Sequence, residues 1–247
     1  MNSIVITGCN RGIGLGLVRH LVKDKISPKS LLATCRNVEN AEELQQIAAE
    51  NKNVHILQLE VDKPETFEDF ARRVEDIVKD DGLNVLFNNA GYSPKSTRIN
   101  FVKPEQMMET FLINSVGPLM LTKTLLPLLK KAASKNVSKP VGIHKSAVIN
   151  MSSYLGSLSL NNQGGLYPYR CSKVALNMIT KSLSVDFKND GILVTSIHPG
   201  WVKTSMGGSN APLDIDTSVC GIIELLKNLN DDHNGQFYCY DGSKMDW

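Results

Sequence analysis

Residues 3–14 read Ser-Ile-Val-Ile-Thr-Gly-Cys-Asn-Arg-Gly-Ile-Gly. The run Ser3–Thr7 is short, apolar and rich in β-branched residues, which predicts a buried strand. Glycines follow at 8, 12 and 14, and an amphipathic pattern then predicts a helix over about 12–25. A glycine-rich turn between a strand and a helix brings backbone N–H groups close to a pyrophosphate, and the helix N-terminus adds partial positive charge. The GxGxxG spacing fails, because the third glycine counted from Gly12 and Gly14 would be residue 17, which is Leu17. The pattern present is TGxxxGxG. Alone, such a turn reads equally well as a plain tight turn; its place after the first strand gives it weight.

Outward from this stretch, strand-like runs recur at Leu31–Arg36, Val54–Val61, Val85–Phe87, Ser146–Met151, Leu193–His198 and Phe237–Tyr240. Helical patterns lie between them, at about 39–51, 65–80, 105–133, 169–188 and 215–229. The alternation predicts an α/β fold: a Rossmann-type, doubly wound parallel sheet of about seven strands with helices on both faces. No repeat, low-complexity tract or linker divides the chain, so residues 1–247 are expected to form a single domain. The stretch Ser134 to Lys145, rich in Lys, Ser, Asn, Pro and Gly, reads as an exposed connection.

Composition narrows the function. A net charge of +2 in 247 residues gives no argument for nucleic acid or an anionic membrane. No apolar run is read as long enough to span a bilayer, and no signal peptide is expected, because a strand-like run begins almost at once. The five cysteines are odd in number, scattered and without CxxC spacing, which fits reduced thiols in a cytoplasmic protein. The five histidines show no metal-ligand spacing, so no metal is expected.

Two further places carry chemistry. The second strand ends Thr34-Cys35-Arg36-Asn37, with an arginine where many dinucleotide folds place an acid for the ribose 2′-hydroxyl. The arginine suits a 2′-phosphate, hence NADPH/NADP+ rather than NAD. Residues 167–173 read Tyr-Pro-Tyr-Arg-Cys-Ser-Lys, in which Tyr169 and Lys173 share a helix face. That pair is common on ordinary helices, so the rest of the chain must support it.

TGxxxGxG early and YxxxK late resemble the short-chain dehydrogenase/reductase family. Asn88-Asn89-Ala90-Gly91, Asn114, Asn150-Met151-Ser152-Ser153 and Pro199-Gly200 agree, in family order across nearly the whole chain. Within the family the sequence is similar to NADPH-dependent carbonyl reductases, through MNSIVITGCNRGIGLGL, HPGWVKTSMGG and the ending YDGSKMDW. The resemblance implies Tyr169 as general acid toward a small-molecule carbonyl, with Lys173 lowering its pKa and holding the nicotinamide ribose. Ser153 is preferred over Ser152 to position the carbonyl oxygen, because Ser153-Tyr154-Leu155-Gly156 fits the family's serine rule. Asn114 would anchor a water on the proton path; otherwise it binds local backbone. Tyr167 is left as a pocket or packing residue.

By the same resemblance, Gly8, Asn10, Arg11, Gly12, Ile13 and Gly14 lie at the phosphates and ribose, and Arg36 takes the 2′-phosphate. Asp62 meets the adenine, unless it is a helix N-cap near Pro64. Asn88, Ala90 and Gly91 lie on the adenosine side, while Pro199, Gly200, Val202 and Thr204 contact the nicotinamide. The segment 203–216 is expected to be a substrate lid with Met206 and Leu213 as apolar lining. The gap from Ser153 to Tyr169 lacks the long insertion of monomeric vertebrate relatives, which leaves room for a homodimer. Two other readings stand beside carbonyl reduction: a redox sensor that holds NADP(H) without turnover, and a dedicated biosynthetic oxidoreductase.

Overall fold

The structure, a computed structural model, describes residues 1–95 and 97–247. Seven strands form one sheet: β1 Ser3–Ile6, β2 Ser30–Cys35, β3 Val54–Gln58, β4 Val85–Asn88, β5 Ala147–Met151, β6 Leu193–His198 and β7 Phe237–Cys239. The order is β3-β2-β1-β4-β5-β6-β7 and every pairing is parallel. Parallel strands need crossovers, and the helices that make them cover both faces of the sheet. These are α1 Gly12–Leu21, α2 Glu42–Glu50, α3 Phe67–Val78, α4 Pro104–Phe111, α5 Gly117–Lys135, α6 Tyr167–Asp186 and α7 Ile215–Asn228.

Alternation along each strand divides the core in two. Ile4, Ile6, Val85 and Phe87 point to one face, with Leu17, Val18 and Leu21 of α1 and Val219, Ile222 and Leu226 of α7. Val5, Leu86 and Val148 point to the other, against Phe67, Phe70 and Val74 of α3 and Leu121, Leu125 and Leu129 of α5. Leu17 is fully buried in the first core, so the position where GxGxxG would have a glycine is filled by a core side chain.

The helix read at 105–133 departs from expectation in two ways. A π-helical turn at Leu112–Val116 separates α4 from α5. The continuous helical stretch Pro104–Lys135 also reaches the length and hydropathy of a membrane span (mean 1.3 over its most apolar window), which corrects the reading that no stretch is long enough. Half of that window is buried within this fold, where Leu121, Leu125 and Leu129 face the sheet.

Candidate functional site

The strand order reverses between β1 and β4, the point at which an open parallel sheet forms a crevice beyond the carboxyl ends of its strands. Its floor is tied together by polar groups. Thr7 Oγ1 accepts from the backbone N–H groups of Asn89 (3.0 Å) and Ala90 (2.9 Å). Asn89 Nδ2 donates to the Thr7 carbonyl at 2.8 Å and to the Gly8 carbonyl at 3.2 Å. Gly8 and Gly12 take left-handed backbone, with φ of 72° and 61°. A Cβ on Gly14 would lie 2.2 Å from the Gly8 carbonyl oxygen, so only glycine lets α1 start this close to β1.

Arg11 is the N-cap of α1 and makes no side-chain cap, which leaves the first N–H groups of the helix free of a side-chain acceptor. Asn10, Arg11 and Arg36 are exposed, and Ile13 is half-buried. Among the described residues, neither arginine has a carboxylate partner. A glycine-lined turn, an uncapped helix start and two unpaired guanidinium groups fit a phosphate-rich dinucleotide that carries a 2′-phosphate. Asp62 is half-buried, and the short helix at Pro64–Thr66 has no side-chain cap, so the capping alternative is not what the structure contains.

Asn88 lies differently from its neighbours. Its side chain is buried and donates to Asn150 Oδ1 at 2.9 Å and Thr122 Oγ1 at 3.4 Å. That amide belongs to the interior of the sheet, and only the backbone of Asn88 is left to face the crevice. Gly91 stands beside the reactive cluster: a Cβ there would sit 3.4 Å from Asn114 Oδ1 and 3.8 Å from Lys173 Nζ.

Ser153, Tyr169 and Lys173 meet at the ends of β5 and α6. The approach to α6 is tight, with Gly164, Gly165 and Leu166 successively in left-handed backbone before Pro168 sets the first turn. Lys173 is buried, and its Nζ donates to the Met151 carbonyl at 2.7 Å. It also lies 5.6 Å from the centre of the Tyr169 ring. Ser153 Oγ accepts from the Leu155 N–H at 3.2 Å. Gly156 completes the serine rule for a packing reason: a Cβ there would lie 2.8 Å from Lys173 Cβ. Ser152 donates to Asn177 Oδ1 at 2.6 Å and so has the structural role expected of it.

Burial acts on both members of the expected pair. Burial pushes the Tyr169 phenol up to about 12; a hydrogen bond with Ser153 pulls it the other way, and the nearby Tyr154 adds to the rise. Burial pushes the Lys173 ammonium down to about 7. Each group is driven toward its neutral form, which opposes the lowering of the phenol expected from Lys173. The result is a tyrosine that keeps its proton throughout the neutral range.

Asn114 lies in the π-helical turn, a kind of irregularity frequent at functional sites. Its Oδ1 accepts from the Tyr92 N–H at 2.8 Å, and its Nδ2 donates to the Tyr92 carbonyl at 2.8 Å and to Ser172 Oγ at 3.0 Å. The side chain is therefore occupied by protein and clamps the loop after β4 to α6. Tyr167 lines a mostly apolar cavity of about 520 Å³ together with Leu155, Leu158 and Met178.

Pro199, Gly200, Val202 and Thr204 follow β6. Thr204 overhangs the phosphate turn, 3.6 Å from where a Gly12 Cβ would be. The segment after it is tied down: Lys203 N–H donates to the Leu213 carbonyl at 2.8 Å, and Leu213 N–H to the Trp201 carbonyl at 3.2 Å. Leu213 lies over Gly200, where an added Cβ would come within 2.3 Å of its side chain, while Met206 is about half exposed. Leu213 is thus a latch and Met206 the freer apolar group. If 203–216 closes over the cofactor, NADPH slows amide exchange at 205–212 more than at the bridged Lys203 and Leu213; equal exchange with and without NADPH overturns the lid.

Sequence reasoning missed Thr7, Asn89, Tyr92 and the Met151 carbonyl. Asn89 stood beside Asn88 in the quoted motif, but choosing between them needs the strand order. His198 was missed too: it is buried, its ring packs edge-on against Tyr154 at 5.2 Å, and burial lowers its pKa to about 4.

Comparison with known proteins agrees with this fold. The model of the short chain dehydrogenase family matches residues 2–213. The solved structure of the carbonyl reductase Sniffer of D. melanogaster superposes with a TM-score of 0.99 at 51% identity, covering 100% of both chains. The NADPH-bound carbonyl reductase from chicken fatty liver gives a TM-score of 0.94 at 39% identity, covering 100% of this chain and 99% of that one. The C-signal protein of Myxococcus xanthus is 39% identical over 165 residues, covering 67% of this chain and 93% of its own.

Proposed function

The chain belongs to the short chain dehydrogenase family, and from that premise we propose that it is an NADPH-dependent carbonyl reductase acting on ketones, quinones or reactive aldehydes. The observation that carries the reading is the meeting of Ser153, a protonated Tyr169 and a buried Lys173 beside a crevice fitted to a phosphate-bearing dinucleotide. When bound, NADPH supplies the hydride for the carbonyl carbon.

The chain's own residues do the rest. Gly8, Gly12 and Gly14 admit the pyrophosphate to the start of α1, and Arg11 and Arg36 take the 2′-phosphate. Asp62 and the Asn88–Gly91 loop flank the adenosine, and Pro199–Thr204 flanks the nicotinamide. Ser153 and Tyr169 bind the substrate oxygen, and Tyr169 gives it a proton as negative charge develops there. Lys173, held by the Met151 carbonyl, orients the nicotinamide ribose and can pass on a proton, because its pKa lies near neutrality. Asn114 fixes the loop that places Gly91 against Lys173.

The same reading has the chain working as one domain, in the cytoplasm, as a homodimer. Five free cysteines suit a reducing compartment. Met108 on α4 and Met178 and Val185 on α6 are each at least 65% exposed and offer an apolar surface for a second copy. The test is a panel of carbonyl compounds followed by loss of NADPH absorbance, with light scattering for mass. Turnover of several panel members is expected. Binding of NADPH without turnover favours the redox sensor, and turnover of a single steroid or pteridine favours the biosynthetic enzyme.

A further inference from the structure

We propose that Cys220, His20 and Asp216 form a second reactive site, where α1 packs on α7, in which Cys220 is a nucleophile toward α,β-unsaturated carbonyl compounds. Asp216 and Cys220 lie four residues apart on α7, so they share a face. His20 reaches them from the last turn of α1. The two helices approach closely because Gly16, one turn before His20, has no side chain: a Cβ there would lie 2.6 Å from Ile215 Cγ2 and 3.0 Å from Val219 Cγ2. Ile215 and Val219 are the residues that precede Asp216 and Cys220, so one close contact sets the geometry of all three groups.

His20 Nε2 lies 2.9 Å from Asp216 Oδ1, and Cys220 Sγ lies 3.6 Å from His20 Nδ1. The tautomer is assigned from the carboxylate partner. Nε2–H donates to the carboxylate, and the Nδ1 lone pair faces the thiol. This is the nucleophile–base–orienter arrangement of cysteine catalysis. Cys220 and Asp216 are exposed and His20 is half-buried, so a small electrophile can reach the sulfur. Among the described residues, the side-chain hydrogen bonds of His20 and Cys220 run only within the trio, and carbonyl reduction makes no use of Cys220.

The step balances without an added oxidant or reductant. His20 Nδ1 takes the thiol proton, leaving a thiolate beside an imidazolium that Asp216 holds. The thiolate forms a C–S bond at the β-carbon of the enone, and the displaced π pair becomes an enolate. His20 returns its proton to that enolate, giving a thioether and a saturated ketone. Asp216 acts through His20 and is a positioning residue.

The experiment treats the full chain, without NADPH, with but-3-en-2-one and maps adducts over time by peptide mass spectrometry. Cys171 is exposed as well, but no histidine lies within hydrogen-bond reach of it among the described residues, so it serves as the internal control. Cys220 is expected to react faster than Cys171 by at least about tenfold. His20→Asn and Asp216→Asn should each bring Cys220 toward the Cys171 rate, and Asp216→Glu should recover much of the loss. Equal rates at the two cysteines in the unmodified protein overturn the proposal, as does a His20→Asn variant that reacts normally. Cys220→Ser should still reduce carbonyls, so either outcome leaves the proposed oxidoreductase function untouched.

Discussion

Replacing Tyr169 by Phe lowers carbonyl reduction by a factor of about 10² to 10⁴ while NADPH still binds. The change keeps the ring, which is half-buried and packed beside Lys173, and removes only the hydroxyl. That hydroxyl holds its proton firmly, because burial raises its pKa to about 12. In the reducing direction a firmly held proton is the useful state: the acid is charged before substrate arrives, and it releases the proton only when the substrate oxygen gains negative charge. Ser153 can still hydrogen-bond that oxygen in the variant, so residual turnover is expected. Tyr167→Phe, which alters the lining of the apolar cavity and no group of the reactive cluster, should be far milder. Steady-state kinetics with NADPH titrations on both variants give the answer. Near-normal turnover by Tyr169→Phe would remove the mechanism.

Arg36→Ala should weaken NADPH binding by about tenfold or more and leave NADH binding almost unchanged. The residue is exposed at the end of β2 and has no carboxylate partner among the described residues. Its substitution therefore breaks no ion pair of the fold. A 2′-phosphate is the group that distinguishes the two cofactors, and Arg11 sits in the neighbouring turn as a second cation. The unaltered protein should prefer NADPH by at least about tenfold. Dissociation constants for both cofactors, in both proteins, are the measurement. A wild type that binds NADH as tightly as NADPH defeats the assignment, and turnover at saturating NADPH should be the same in both proteins.

Much of the fold was legible because parallel strands buried on both faces are written as short apolar runs, such as Ile4–Ile6 and Leu193–Val194. The glycine turn was legible because backbone shape demands those residues at 8, 12 and 14. The π turn at 112–116 was not legible: it changes which carbonyl each N–H meets, without altering the apolar spacing that marks a helix. Thr7 and Asn89 were hidden for another reason. They are 82 residues apart and meet only because β1 lies next to β4. The rise in the Tyr169 pKa was not legible, because spacing reports proximity to Lys173 and says nothing of burial. The Ser-x-x-Gly rule was legible as a pattern, but its cause, the contact between Gly156 and Lys173, appears only in three dimensions.

The buried amide of Asn88 has a bearing on tolerance. It donates to Asn150, which donates to Thr180 Oγ1 at 2.8 Å, and Ser196 donates to the same oxygen at 2.8 Å. Three neighbouring strands and α6 are thereby pinned along one line. Tyr169 and Lys173 sit about three and two turns up the same helix from Thr180. A rigid helix transmits any axial slip at the pin to both reactive side chains undiminished. Misplacement by about 1 Å can reduce a rate by roughly a hundredfold. Positional accuracy at the reactive end is therefore stored in residues that never meet the substrate. Substitutions on this line, such as at Asn150, therefore cost catalysis as well as stability, because they also leave the buried amide of Asn88 without its acceptor.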